Sequence, residues 1–290
     1  MIGPTRFRHF AAIDWSGAAG ERHAGIAVAL AAMGSAAPAL VRPGHRWSRA
    51  EVLHWLLHDL PPDTLVGLDL GQSLPHADRG AFFPGWAESP PDARALWALV
   101  DRICAADPHL AATSFVDHPQ ASTHFRRHGG RQGAQFEPGR GRLRVTERAQ
   151  EAIGCRPCSN FNLVGAAQVG KSSLTGMRLL HRLSGHLPVW PIDPLPPAGS
   201  LVTEIYTTIA AMAAGRPPGR SKIRSHAELA EALAALGSAP VPGHGPIPDH
   251  ASDALVTAAW LRRAAADPAL WHPPGLAAVA TTEGWTFGAR

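Results

Sequence analysis

Hydrophobic positions in the first quarter of the chain come in short runs, each closed by an acid or a turn. Arg8-His9-Phe10-Ala11-Ala12-Ile13-Asp14 is an apolar run ending on a carboxylate; Trp15-Ser16-Gly17-Ala18-Ala19-Gly20 turns the chain, and residues 24–32 form a second apolar run. Together they predict a β-hairpin. Residues 39–41 predict a third strand. Ser48 then caps a helix in which Val52, Leu53, Leu56, Leu57 and Leu60 recur at helical spacing, and Pro61-Pro62 ends it. Thr64-Leu65-Val66-Gly67-Leu68-Asp69-Leu70-Gly71 is almost continuously apolar, the pattern of a central strand covered on both faces.

After Gly71 the periodicity loosens. Residues 71–160 are rich in Gly, Pro, His and Arg with one clear helix near 93–106, which predicts a long insertion or subdomain inside a single domain spanning 1–290. Beyond it the pattern predicts short strands at 161–164 and 187–190 with a helix at 172–183 between them. A strand at 201–206 carrying Glu204 follows, then helices at about 207–214, 225–236 and 250–266, and a closing hairpin from 277–280 and 284–287.

Of 290 residues, 45% are hydrophobic and 17% charged, enough apolar material for a full core and too little charge for a mainly disordered chain. No run reaches the ~18 uncharged apolar residues of a membrane helix. Three cysteines and a first segment without an apolar stretch behind its basic residues lead to the expectation of a cytoplasmic protein without a disulfide framework. The net charge is +4, and nearly all the positive charge is arginine, the lysines being Lys171 and Lys222. That balance permits a nucleic-acid partner without requiring one.

The element order, a hairpin, a third strand, a helix and a central strand, then a later strand and a late helix that each carry an acid, predicts an α/β fold. Its form is a ribonuclease H-like mixed sheet flanked by helices, with the long insertion after the central strand. If the first strand and the 64–69 strand are parallel neighbours, Asp14 and Asp69 lie side by side at their carboxyl ends, about 4.8 Å apart in strand spacing, the edge where α/β sheets gather ligands. Carboxylates so placed repel each other unless a cation is shared, and their hard oxygens suit Mg²⁺ or Mn²⁺. Glu204 and Asp253 complete a candidate four-carboxylate metal and catalytic site for phosphodiester hydrolysis. Asp249, behind Pro248, is expected to cap the last long helix. Read one by one, these acids are also ordinary turn formers, caps and solvent-facing strand positions.

The stretch His250-Ala251-Ser252-Asp253-Ala254-Leu255 resembles the last-helix motif of RuvC-type Holliday-junction resolvases, whose Asp-Ala-Leu unit carries a metal ligand. More of the chain resembles the prokaryotic family called domain of unknown function 429, described as predicted nucleases of ribonuclease H fold. Ile13-Asp14-Trp15-Ser16-Gly17, Gly67-Leu68-Asp69-Leu70, Thr203-Glu204-Ile205-Tyr206, Asp253-Ala254-Leu255 and Glu283-Gly284-Trp285 carry that resemblance. It implies that Asp14, Asp69, Glu204 and Asp253 are the metal-binding acids, and it supplies no substrate.

Three other motifs compete. Gly165-Ala166-Ala167-Gln168-Val169-Gly170-Lys171-Ser172 fits the G-x-x-x-x-G-K-S pattern of a P-loop, which points instead to a nucleotide-binding or ATPase protein. Under the nuclease reading Lys171 approaches a phosphate. Cys155-Arg156-Pro157-Cys158 has redox spacing but leads toward an extended segment rather than opening a helix. Arg126, Arg127, Arg131, Arg140, Arg142, Arg144 and Arg148 crowd into 23 residues with several glycines and only two glutamates, a candidate nucleic-acid-binding loop whose plain reading is a solvated charged face. His118, His124 and His128 in or beside it are candidate proton donors. A non-catalytic binding module of the same fold is the third reading.

Overall fold

The computed structural model describes residues 6–165, 169–219 and 222–290. Its centre is a six-stranded mixed sheet built from β1 (His9–Asp14), β2 (Ala27–Ala32), β3 (Ala39–Leu40), β4 (Thr64–Asp69), β5 (Val189–Trp190) and β6 (Leu201–Glu204), in the order β3-β2-β1-β4-β6-β5. The first three strands form an antiparallel meander, while β4 lies parallel to β1, β6 to β4, and β5 to β6.

Alternation along each strand sends side chains into two cores. Ala11, Ile13, Val66 and Leu68 join one cluster with Val52 of α1 (Arg49–His54), Trp97 of α2 (Ala93–Ile103) and Phe115 of α3 (Thr113–Val116). Phe10, Ala12 and Leu65 face the other, with α6 (Thr207–Ala213), α7 (His226–Ala235) and α8 (Asp249–Ala264). Between the third and sixth helices in chain order stand α4 (Val145–Ala152) and α5 (Val169–Leu183), the latter packing Leu174, Met177 and Leu180 on the first core. At Gly67 of β4 a Cβ would stand 2.6 Å from Ile205 Cγ2 and 3.0 Å from Leu261 Cδ1 of α8, so the glycine leaves room for both side chains. Among the described residues no helix is long and apolar enough to cross a membrane.

The helix expected after Ser48 forms with a full capping box: Ser48 Oγ accepts from the Glu51 amide and Glu51 Oε2 accepts from the Ser48 amide. Residues 71–160 are not a separate unit, since Phe82, Phe83, Leu96, Trp97 and Phe125 are buried in the same cluster as Ile13 and Val66. Two expected elements differ. Residues 161–164 form no sheet strand, Asn162 making a single bridge to Arg126. The chain does not close as a hairpin: Leu276–Val279 is a short helix, α9, and beyond Gly284 (φ +68°) the chain runs beside β6, Phe287 N–H donating to the Glu204 carbonyl. Burial of Trp285 and Phe287 in the second core draws that segment onto the sheet.

Candidate active site

Asp14 and Asp69 are register partners at the carboxyl ends of parallel β1 and β4. The alternation that places Phe10 and Ala12, or Leu65, on the α8 side places these two acids there as well. Asp253 sits one turn into α8 on the same side. Two basic side chains of the chain answer the acids. His250 Nδ1 is 3.0 Å from Asp14 Oδ2, and Lys222 Nζ is 2.9 Å from Asp253 Oδ2 and 3.6 Å from Asp249 Oδ2. Pro248, not Asp249, occupies the cap position of α8, and Asp249 is spent on the Lys222 pair.

Asp69 has no such partner. Among the described residues its carboxylate has one polar side-chain contact, the Thr207 hydroxyl at 3.4 Å. Burial first, then the charges of Asp14, Asp253 and Glu204, push its pKa well above the usual carboxylate range against the pull of Lys222. Asp253 is also raised, by burial and then by Asp14 and Asp249 in opposition to Lys222. His250 is raised chiefly by its hydrogen bond to Asp14, so it holds a proton more readily than a free histidine.

Glu204 stands apart from the expected four-acid cage. Its register partner is Leu68 rather than Asp69, so its side chain leaves from the opposite face of the sheet. There its oxygens accept from Arg144 Nη1 (2.8 Å) and Nη2 (2.6 Å), from the Gln72 amide (2.7 Å) and from the Thr286 hydroxyl. Four hydrogen bonds take up its acceptor sites. Arg144 also forks onto Glu147; burial works against its charge, but Glu147 and Glu204 outweigh burial and keep it protonated.

Arg144 and Arg142 are therefore interior residues, 1% and 3% exposed, and offer no surface to a phosphate backbone. Arg142 binds Asp78 and the Pro75, Ala81 and Phe82 carbonyls. Arg126, Arg131, Arg140 and Arg148 are exposed and Arg127 half-buried; Arg127 and Arg131 share Asp117, and Arg140 and Arg148 share Glu151. His124 is no proton donor at neutral pH, because burial and then Arg142 and Arg79 lower its pKa to about 4. His118 stacks on Trp86, whereas His128 Nε2 lies 2.8 Å from Lys171 Nζ. Cys155 and Cys158 are free, and burial raises both thiols away from the reactive thiolate.

A cleft of about 660 Å³ opens beside these groups. Asp69, Glu204, Lys171, Ser172, Lys222 and His250 line it, with Arg156 and Tyr206 among the remaining walls. Both lysines of the chain thus reach one cavity. Lys171 and Ser172 lie at the start of α5, as the P-loop pattern requires, but residues 161–164 supply no sheet strand before it, and Ala166, Ala167 and Gln168 of the motif lie outside the described residues. Lys222, Gln72 and Thr286 are the residues that sequence reasoning gave no role, Arg144 it expected on a nucleic-acid-binding loop, and His250 it quoted without a role. A signal existed for two: Lys222 is one of only two lysines, and His250 is three residues before Asp253 on one helix face.

The fit to a divalent ion is specific in chemistry and partial in arrangement. Asp14 and Asp69 supply adjacent hard oxygens whose mutual repulsion a cation relieves. Among the described residues no three His, Cys, Asp or Glu side chains are grouped to hold a metal ion, and Asp253 is already paired with Lys222. No family model, no curated protein and no solved structure matches the chain.

Proposed function

We propose that the chain is a metal-dependent phosphodiester hydrolase, a nuclease of ribonuclease H-like fold. Its antiparallel meander followed by parallel strands, with acids at the ends of β1 and β4 and on α8, supports that fold reading. Asp69 carries the functional one: a carboxylate at a cleft, short of hydrogen bonds and crowded by other acids, needs a proton or a cation. Asp14 and Asp69 would hold Mg²⁺ or Mn²⁺, with Asp253 beside them. The ion would supply an activated water and charge stabilisation at the phosphorus. Lys222, Lys171 and Arg156 attract and orient the anionic backbone in the cleft, and His250, hydrogen-bonded to Asp14, takes up a proton more readily than a free histidine. Glu204 acts at one remove, fixing Arg144 and the Gln72 amide in the cleft wall. Exposed Arg126, Arg131 and Arg140 extend the basic surface for nucleic acid.

The test is cleavage of labelled single- and double-stranded DNA and RNA with Mn²⁺, Mg²⁺ or chelator. Asp14→Asn should lose about 10²-fold or more of the ion-dependent rate while its circular dichroism is unchanged; equal activity in this variant sinks the assignment. A second reading, nucleotide binding through Lys171 and Ser172, draws on their place in the same cleft. Saturable ATP binding abolished by Lys171→Ala, with no nucleic acid cleaved by the wild type, would transfer the assignment to it.

A further inference from the structure

The cleft adjoins a second cavity. On the far side of the turn that follows β1 lies a chamber of about 380 Å³, walled by Ala111, Ala112, Val116, Leu163 and Leu174 and so mostly apolar. Gly17, Ala18 and Lys171 line both spaces.

The partition is fixed from two sides. A Cβ on Gly17 would stand 2.4 Å from the Ser172 nitrogen and 2.6 Å from Lys171 Cβ, so the turn meets α5 backbone to backbone. Buried Arg49 donates to the Ser16 and Ala18 carbonyls, and its Nη1 donates to the carbonyl of His109, tying the turn to the chamber's opposite wall. His109 and Leu110 there hold left-handed φ values of +55° and +54°, a conformation that persists where the surroundings impose it and that concentrates at ligand sites.

The chamber also carries positive charge. Arg127, Arg131 and Lys171 line it, and Asp117, shared by the two arginines, is the single acid among its lining residues. Arg127 donates to Asp117 through Nη1, and its Nε is buried with no acceptor among the described residues.

We infer that this chamber receives the unpaired base of a phosphorylated nucleotide, with Lys171 at the partition holding the phosphate that joins it to the cleft. This rests on the phosphodiester reading above. A heterocyclic base has apolar faces that suit the Ala, Val and Leu walls and a polar edge that meets the Arg127 and Arg131 side chains lining the chamber. The volume falls within the range of about 300–1,000 Å³ typical of small-ligand sites. A base stacked and paired in a duplex presents neither face nor edge, so the chamber selects free nucleotides, strand ends or bases turned out of the helix.

Calorimetry on the wild-type chain in chelator, where no ion-dependent turnover occurs, compares inorganic phosphate, adenosine monophosphate and a short single-stranded oligonucleotide. The monophosphate is expected to bind at least tenfold more tightly than phosphate. Ala111→Phe and Val116→Trp, each filling the chamber and each checked by thermal melting, should remove that gain and leave phosphate binding as it was. An oligonucleotide that displaces the monophosphate assigns the chamber to a polymer end, and one that does not assigns it to a free nucleotide; both outcomes uphold the base pocket. Equal affinity for phosphate and monophosphate, no binding of the monophosphate, or a gain that survives in both filled variants overturns the inference. None of those results bears on the hydrolase reading, which the cleavage assay judges.

Discussion

Asp69 and Glu204 end neighbouring strands, and their surroundings set them to different tasks. Glu204 is 3% exposed and held by Arg144, Gln72 and Thr286, so removing its arginine leaves a buried charge uncompensated. Arg144→Ala should cost about 3–5 kcal/mol, read as a lower urea midpoint, whereas Arg126→Ala, on the surface, should leave that midpoint unchanged. Asp69 behaves oppositely. Its folded pKa lies above its unfolded value, so the folded chain binds the extra proton, and stability present below about pH 4 is lost as pH rises through the folded pKa. Asp69→Asn should therefore raise the thermal midpoint at pH 7, by about 2 °C or more for each kcal/mol of repulsion removed, and the advantage should vanish near pH 3. A variant no more stable than wild type at pH 7 would mean that Asp69 is not crowded by its neighbours.

At the scale of elements, parallel pairing of β1 with β4 brings Asp14 and Asp69 together, and the packing of α8 chiefly across β1 and β2 brings Asp253 near them. At Gly67 of β4, Ile205 and, from α8, Leu261 crowd the space a Cβ would take. Gly67→Ala must push aside Ile205 and Leu261, an overpacking that costs about 1–3 kcal/mol, and it should weaken Mn²⁺ binding although the residue is two positions from the nearest acid. Normal stability and normal binding in this variant would show that α8 does not depend on that contact. The same scale shows what sequence could and could not tell. Apolar runs ending in Asp14 and Asp69 marked two strands and their common edge. The face on which Glu204 emerges follows from its register beside Leu68, and nothing local to Leu201–Glu204 encodes that register. The closing hairpin failed for the same kind of reason: Trp285 and Phe287 are drawn to a core assembled from distant helices.

Across the whole molecule, the long middle segment and the C-terminal segment support the cleft together. Glu283 accepts from the His76, Ala77 and Val145 amides while its carbonyl accepts from Arg144, so the Glu283-Gly284-Trp285 motif locks the insertion to the sheet end. In sequence the dense arginines of 126–148 read as one basic loop; folding divides them, Arg142 and Arg144 bracing the interior and the others remaining at the surface or in the second chamber. Burial partners separated by 60 or more residues make that division, beyond the reach of composition. Asp14 and Asp69, 55 positions apart in the chain, are register partners, and one cation shared between them is what the proposed function requires. A calorimetric titration of Mn²⁺ into the wild type and into Asp14→Asn and Asp69→Asn tests it most directly. Saturable binding to the wild type, weakened at least tenfold by each substitution, is the expected result. No binding to the wild type, or binding that neither substitution alters, would contradict it.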